Sequence, residues 1–137
     1  MKLKDLIYLM LGLIFLGIFY IFFLLFYPFK TLTVNSSHAL NTPKAGEVLM
    51  YEVDYCKYTT APATVFRTLH TVDETSIVPF PAVDTISITG CNKVSVPLQL
   101  YPSTPPGAYY LQVDVQFKIN ALREIHYQFR TNPFKIL

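Results

Sequence analysis

Hydrophobic residues follow one another without interruption near the start of the chain. From Leu6 to Tyr27 the sequence LIYLMLGLIFLGIFYIFFLLFY has 22 positions and no charged residue. As an α-helix it spans about 33 Å, enough to cross a hydrocarbon core of roughly 30 Å. A cleaved signal peptide would have a shorter apolar core followed by small residues, whereas bulky FYPFK follows here. The pattern predicts an uncleaved transmembrane signal-anchor helix over residues 1–29. The anchor residues are Leu6, Phe15, Phe19, Phe26 and Tyr27.

The charges that flank this segment predict its orientation. Lys2 and Lys4 precede it, and Lys30 is the nearest base behind it. The positive-inside rule then places the N-terminus in the cytoplasm and residues 30–137 in the periplasm or outside the cell. The lipid bilayer is thus the first expected partner. It would be the inner membrane of a bacterium, or a virion or host membrane if the source is viral.

Beyond Tyr27 the pattern changes to alternation with period two. Apolar residues at 111, 113, 115, 117 and 119 alternate with polar ones, as expected of a strand with one buried and one solvated face. Residues 124–130 repeat the alternation after NALR at 120–123, so the two segments are predicted to form an antiparallel hairpin.

Further strand signals fill the rest of the chain. Alternation or β-branched residues mark 30–34, 48–58, 63–72, 84–90, 93–100 and 134–136, whereas prolines break 76–83 into an edge segment or a loop. No helical periodicity occurs after Tyr27. We therefore expect an all-β domain over residues 30–137, an antiparallel β-sandwich of seven or eight strands.

Composition and charge narrow the classes of function. The 137 residues suffice for one domain behind the anchor. After Tyr27 there are nine Lys and Arg residues against eight Asp and Glu, with no run of one sign. Such a balanced surface lacks the basic patch of a nucleic-acid-binding protein, so no nucleic-acid partner is expected.

The two cysteines, Cys56 and Cys91, both follow the predicted anchor. An oxidising compartment favours a disulfide between them; two free thiols and metal ligation are the alternatives. Copper would suit thiolate ligands, but neither His nor Met lies close to Cys91, and His38, His70 and His126 are scattered. A structural disulfide is the favoured interpretation, and no metal or cofactor site is predicted.

No motif of an enzyme occurs in the sequence. It lacks G-x-S-x-G, a close His pair and a glycine-rich phosphate loop. Glu52 and Asp54 share one strand face, where a pair of catalytic carboxylates could lie. A solvated outer face explains the two acids more simply, so we expect no enzymatic activity and no catalytic residues.

One turn resembles a feature of immunoglobulin-like and fibronectin-type domains. Pro105-Pro106-Gly107 followed by Tyr109 is similar to their strand-entry corner, where a Tyr hydroxyl binds back to the backbone; the Trp typical of antibody domains is missing. More broadly, the chain resembles short signal-anchored immunoglobulin-like β-sandwich proteins of tailed bacteriophages and bacteria. That resemblance implies a fold and a viral or bacterial source, but no catalytic residue. Its remaining motifs are Cys56-Lys57, Gly90-Cys91, Asn120, Leu122-Arg123, Thr131 and Phe134.

The function expected from the sequence is a non-catalytic, membrane-anchored module that presents an interaction surface. It would be an accessory or structural subunit of a membrane or virion assembly, with an envelope or virion protein as partner. The candidate surface is four tyrosines near loops, Tyr58, Tyr101, Tyr109 and Tyr110. The alternative is an extracytoplasmic copper-handling or redox accessory protein that uses Cys56 and Cys91. Whether the chain forms a homo-oligomer is not predicted.

Overall fold

A computed structural model describes residues 2–28, 30–85 and 88–137. Its single helix, α1 (Leu3–Phe26), has no buried residue and a mean hydropathy of 2.8 over 18 residues. By length and composition it could cross a membrane. The predicted anchor residues all lie exposed on α1 or, for Tyr27, at its C-cap, while Met1 and Phe29 of the predicted segment lie outside the described residues.

The C-terminal end of α1 is tied to the β-domain. Proline has no N–H, so Pro28 cannot donate to the carbonyl of Leu24 four residues earlier. The side-chain amide of Asn120 donates to that oxygen instead, with Nδ2 2.8 Å from it. Asn120, which lies 96 residues after Leu24 in the sequence, therefore satisfies the helix carbonyl that Pro28 leaves without an intrahelical donor.

The residues that the structure describes form nine strands after α1. Most coincide with the alternating or β-branched segments of the sequence. They are β1 (Leu32–Ala39), β2 (Val48–Lys57), β3 (Ala63–Thr71), β4 (Ile77–Pro79), β5 (Val83–Thr85), β6 (Gly90–Gln99), β7 (Gly107–Asn120), β8 (Arg123–Arg130) and β9 (Phe134–Ile136).

The strands build two sheets, and every pairing is antiparallel, which confirms the predicted antiparallel all-β class. One sheet has the order β1-β2-β6. The other has the order β4-β3-β7-β8, with β5 also pairing β3 and β9 pairing β7. The apolar faces of both sheets contribute to one hydrophobic core. On one side the layers approach closely: the Val34 N–H of β1 donates to Tyr127 Oη of β8 at 3.2 Å.

The alternation read from the sequence matches the buried faces. In β7, Leu111, Val113, Val115 and Phe117 are at most 8% exposed. The predicted hairpin forms with Val115 opposite Tyr127, and β2, within the alternating segment 48–58, buries Leu49, Tyr51 and Val53. Because a strand of period two places alternate side chains on opposite faces, these patterns suffice to orient the central strands.

Three predicted segments differ from the structure. β1 continues to Ala39 instead of ending at 34, because its polar second half still pairs with β2. Of the strand predicted at 84–90, residues 84–85 belong to β5 and Gly90 starts β6, while 86 and 87 lie outside the described residues. The proline-broken segment 76–83 supplies β4 and the start of β5, both short strands that pair with β3.

Candidate interaction surface

A disulfide joins Cys56 and Cys91, as the sequence favoured. The two residues lie directly opposite each other on β2 and β6, with their Cα atoms 3.9 Å apart. The bond therefore links two neighbouring strands of one sheet. Both sulfurs are used in this bond. Among the residues described, no group of three His, Cys, Asp or Glu side chains is placed to hold a metal ion.

β1 and β6 form the two edges of the small sheet, and among the described residues β6 is the longer of these two strands. Within the described ranges, β6 pairs with β2 and with no other strand. In an antiparallel pair of strands, directly opposed residues lie closer together where they do not hydrogen-bond to each other. The Cα atoms of Cys56 and Cys91 are 3.9 Å apart, so these residues form such a non-hydrogen-bonded pair. Cys91, and every second residue after it, then directs its backbone N–H and C=O away from β2. Lys93 and Ser95 accordingly offer donors and acceptors at the free edge.

Pro97 fits the same register. Counted in steps of two from Cys91, Pro97 is one of the residues whose backbone groups point away from β2. Its missing N–H therefore removes no hydrogen bond from the β2–β6 ladder. The sequence contained this signal, because a proline inside a strand pattern restricts that strand to an edge. The VSVPL segment was predicted as a strand, but its position at an edge was not.

Polar contacts between side chains lie on the outer face of this sheet. The Glu52 carboxylate lies 3.0 Å from Lys93 Nζ and 3.5 Å from His38 Nε2. Asp54 accepts a hydrogen bond from the Asn35 side chain at 3.4 Å. The two acids that share this face are thus engaged with separate surface partners, as a solvated outer face would have them.

Apolar side chains line the approach to the β6 edge. Ile88 is 84% exposed just before the strand, and Val83 and Val94 are 45% and 36% exposed beside it. Exposed apolar groups next to an unpaired strand edge are typical of surfaces that receive another strand. We therefore take the β6 edge with these three residues as the candidate interaction surface.

Two of the four candidate tyrosines are buried. Tyr109 is 3% exposed, and its hydroxyl donates to the carbonyl of Pro105 at 2.7 Å. Tyr110 is 7% exposed, stacks on His70 with ring centroids 5.1 Å apart, and donates to Glu74 at 3.2 Å. Neither ring is accessible to a partner in this structure, because both are held by the strands and turn that surround β7.

The other two tyrosines are accessible but lie far apart. Tyr58 follows β2 at the end nearest α1, where Lys30 Nζ lies 5.1 Å from its ring centre. Tyr101 follows β6 at the opposite end of the same ladder and stacks on Phe80. A ten-residue strand separates them, about 33 Å at the usual rise. The four tyrosines therefore do not form one surface.

Comparisons with known proteins add little. No protein-family model matches the chain, and no curated protein matches it. Among solved structures, the chain is similar to a Bordetella pertussis protein described as ApaA, with 17% identity over 77% of this chain and 91% of that one. The TM-score is 0.37, and this likeness carries no argument about fold or function.

Proposed function

We propose that the protein is a non-catalytic, membrane-anchored β-sandwich module that serves as an accessory or structural subunit of a membrane or virion assembly. The observation that carries this proposal is the free edge of β6, with outward backbone groups at Lys93 and Ser95 and exposed apolar neighbours. A partner that contributes a β-strand would extend the small sheet by main-chain hydrogen bonds.

The anchor is proposed from α1. An exposed apolar helix of 24 residues has no partner within the described part of the chain to cover it, and a bilayer would. β1 begins at Leu32, six positions after the last helical residue, so the β-domain would stay close to the lipid surface. With Lys2 and Lys4 on the cytoplasmic side, the domain would lie in the periplasm or outside the cell.

The immunoglobulin-like identity of the fold is also a proposal. It is supported by the hydrogen bond from Tyr109 to Pro105, which has the connectivity of the tyrosine corner in such domains. Two antiparallel sheets around one core are consistent with it. The proposed partner is an envelope or virion protein, in keeping with the viral or bacterial source that the resemblance to signal-anchored phage and bacterial proteins implies.

A pair of substitutions at Ser95 tests the strand-edge interaction. Ser95→Pro removes one outward N–H and leaves the β2 ladder intact, whereas the control Ser95→Thr keeps the N–H and suits a strand. Tagged full-length protein is purified in mild detergent from cells that naturally produce it. We expect a stoichiometric partner with the natural protein and with Ser95→Thr, and its loss with Ser95→Pro. Recovery of no partner, or equal recovery with all three proteins, contradicts the proposed interaction.

A further inference from the structure

A cavity of about 250 Å³ lies between the two sheets, in the half of the domain nearest α1. Its walls are built mostly from valine and aromatic side chains of both layers. They include Leu32 and Val34 of β1, Tyr51, Val53, Tyr55 and Lys57 of β2, Ala63, Val65 and Arg67 of β3, Val83 and Thr85 of β5, Val94 and Val96 of β6, Val113, Val115 and Phe117 of β7, and Phe129 of β8.

The cavity opens on the side where β6 faces β5. There the two sheets are joined by no strand pairing among the described residues, in contrast to the closely approaching β1 and β8. Val83 and Val94, one from each sheet, line the cavity and are also partly exposed to solvent. Apolar surface is unfavourable in contact with water, and protein interiors are otherwise close-packed. An empty apolar space of this size that opens to solvent is therefore costly in free energy.

Arg67 brings a positive charge into this apolar space. It follows Ala63 and Val65 on the inward face of β3, opposite Val113 of β7. Its Nε is buried and has no hydrogen-bond partner among the described residues. None of the side chains that line the cavity is a carboxylate, and Arg67 forms no ion pair with any described residue.

Tyr51 supplies a second polar group beside Arg67. Its ring is 3% exposed and lines the cavity from the opposite sheet. Burial raises the pKa of the Tyr51 hydroxyl above its ordinary value of 10.0, while the charge of Arg67 and a hydrogen bond from its guanidinium act in the opposite direction. A guanidinium and a hydroxyl therefore meet at one place in a mostly apolar cavity, as in a site that orients a carboxylate. The other polar side chains of the lining are Thr85 and Lys57, whose Nζ lies 5.7 Å from the centre of the Phe117 ring.

We propose that this cavity binds one acyl chain of an anionic amphiphile, over a length of about eight to ten carbons, with the acidic head on Arg67 and Tyr51. The size follows from the volume: an apolar cavity of about 150 Å³ holds benzene, with its six carbons, so 250 Å³ accepts about ten. Between Arg67 and Ala63 the cavity follows β3 for about 13 Å, long enough for an extended chain. The head group is bound by Arg67, and the chain is held by the surrounding valines and Phe117.

The cavity is formed only by the inner faces of the two sheets, so it needs neither a protein partner at β6 nor a particular orientation of α1. The occupant is a free carboxylic acid or one acyl chain of an anionic phospholipid, since both present an acidic head on an apolar chain. The experiment below separates these two sources.

Photo-crosslinking to the full chain tests the proposal. The protein is reconstituted in phosphatidylcholine nanodiscs and labelled with a diazirine derivative of decanoic acid, and the labelled residues are mapped by mass spectrometry. We expect labels on β3, β6 and β7 that octanoate competes away and that octanol and octylamine do not. Arg67→Gln should weaken labelling at these strands about tenfold, because one charge-assisted hydrogen bond is lost. The control Arg130→Gln removes an exposed arginine on the outer face of β8 and should change nothing.

The other outcomes are equally informative. Labels confined to α1, or equal competition by octanol, contradict the acidic-head site. Val94→Phe narrows the cavity without touching Arg67 and should also reduce labelling; unchanged labelling in both variants overturns the proposal. Loss of labelling when phosphatidylglycerol replaces part of the phosphatidylcholine identifies a lipid chain as the occupant, and persistence identifies the free acid.

Discussion

The hydrogen bond from Tyr109 to Pro105 gives a quantitative test of how the strand-entry turn contributes to stability. Tyr109→Phe removes only the hydroxyl that lies 2.7 Å from the Pro105 carbonyl and keeps the buried ring. A neutral intramolecular hydrogen bond contributes about 0.5–1.5 kcal/mol net. Because Pro105 is exposed, water can reach the released carbonyl, so the additional cost of an unsatisfied acceptor is small. We therefore expect a loss of about 1 kcal/mol in the free energy of unfolding.

The neighbouring Tyr110→Phe is a matched control. It deletes the same atom from the next residue, but that hydroxyl donates to the exposed side chain of Glu74 at 3.2 Å, not to backbone. Urea denaturation of the full chain in non-ionic detergent, followed by the β-sheet signal in circular dichroism, measures both. In thermal unfolding of a domain of this size, a loss of about 1 kcal/mol corresponds to a decrease of roughly 4 °C in Tm. A smaller effect at Tyr109 than at Tyr110 would refute the role given to the turn.

Three further predictions concern the disulfide, a buried lysine and the helix joint. Replacing Cys56 and Cys91 together by Ser should lower the free energy of unfolding by about 3–4 kcal/mol, since the bond closes a loop of 35 residues. Urea denaturation measures this loss, and the natural protein after reduction should have the same free energy of unfolding as the double variant. Burial lowers the pKa of Lys57 below 10.5, so the unfolded chain binds the proton more tightly and stability should rise with pH between that lowered pKa and 10.5. Lys57→Met should abolish this rise, and equal slopes in the two proteins would disprove the reasoning. Asn120→Asp keeps the Oδ1 acceptor of the β7–β8 turn but removes the donor to Leu24, so amide exchange in the last turn of α1 should accelerate; unchanged exchange would show that the contact contributes nothing.

The parts of the fold that could be predicted are those determined by local sequence. In β7 from Leu111 onward, and over residues 124–130 of β8, apolar and polar positions alternate, so each strand reveals its buried face by itself. Because only a four-residue turn joins β7 to β8, the two strands can pair in only one way, antiparallel to each other. The position of the disulfide followed similarly from two cysteines in one predicted domain.

The cavity and its arginine could not be predicted. In β3, apolar Phe66 faces outward and charged Arg67 faces inward, so hydrophobicity does not reveal which face is buried. Arg67 approaches Tyr51 only because β2 and β3 lie in opposite sheets, and this depends on the assembly of the whole domain. The tyrosines illustrate the same limit: Tyr109 is close to a turn in sequence, yet its ring folds back beneath that turn and is buried.

The disulfide, the free edge and the cavity are connected through β6. An edge strand is held by one ladder alone, so its end next to a cavity should open more readily than a strand paired on both sides. The Cys56–Cys91 bond lies at the second residue of β6, at the end nearest the cavity opening, and fixes that end covalently to β2. The backbone groups at Lys93 and Ser95 can then remain available to a partner while Val94 and Val96 keep their places in the cavity wall. Reduction of this bond should therefore loosen the edge and the cavity together, whereas Arg67→Gln should affect the cavity alone.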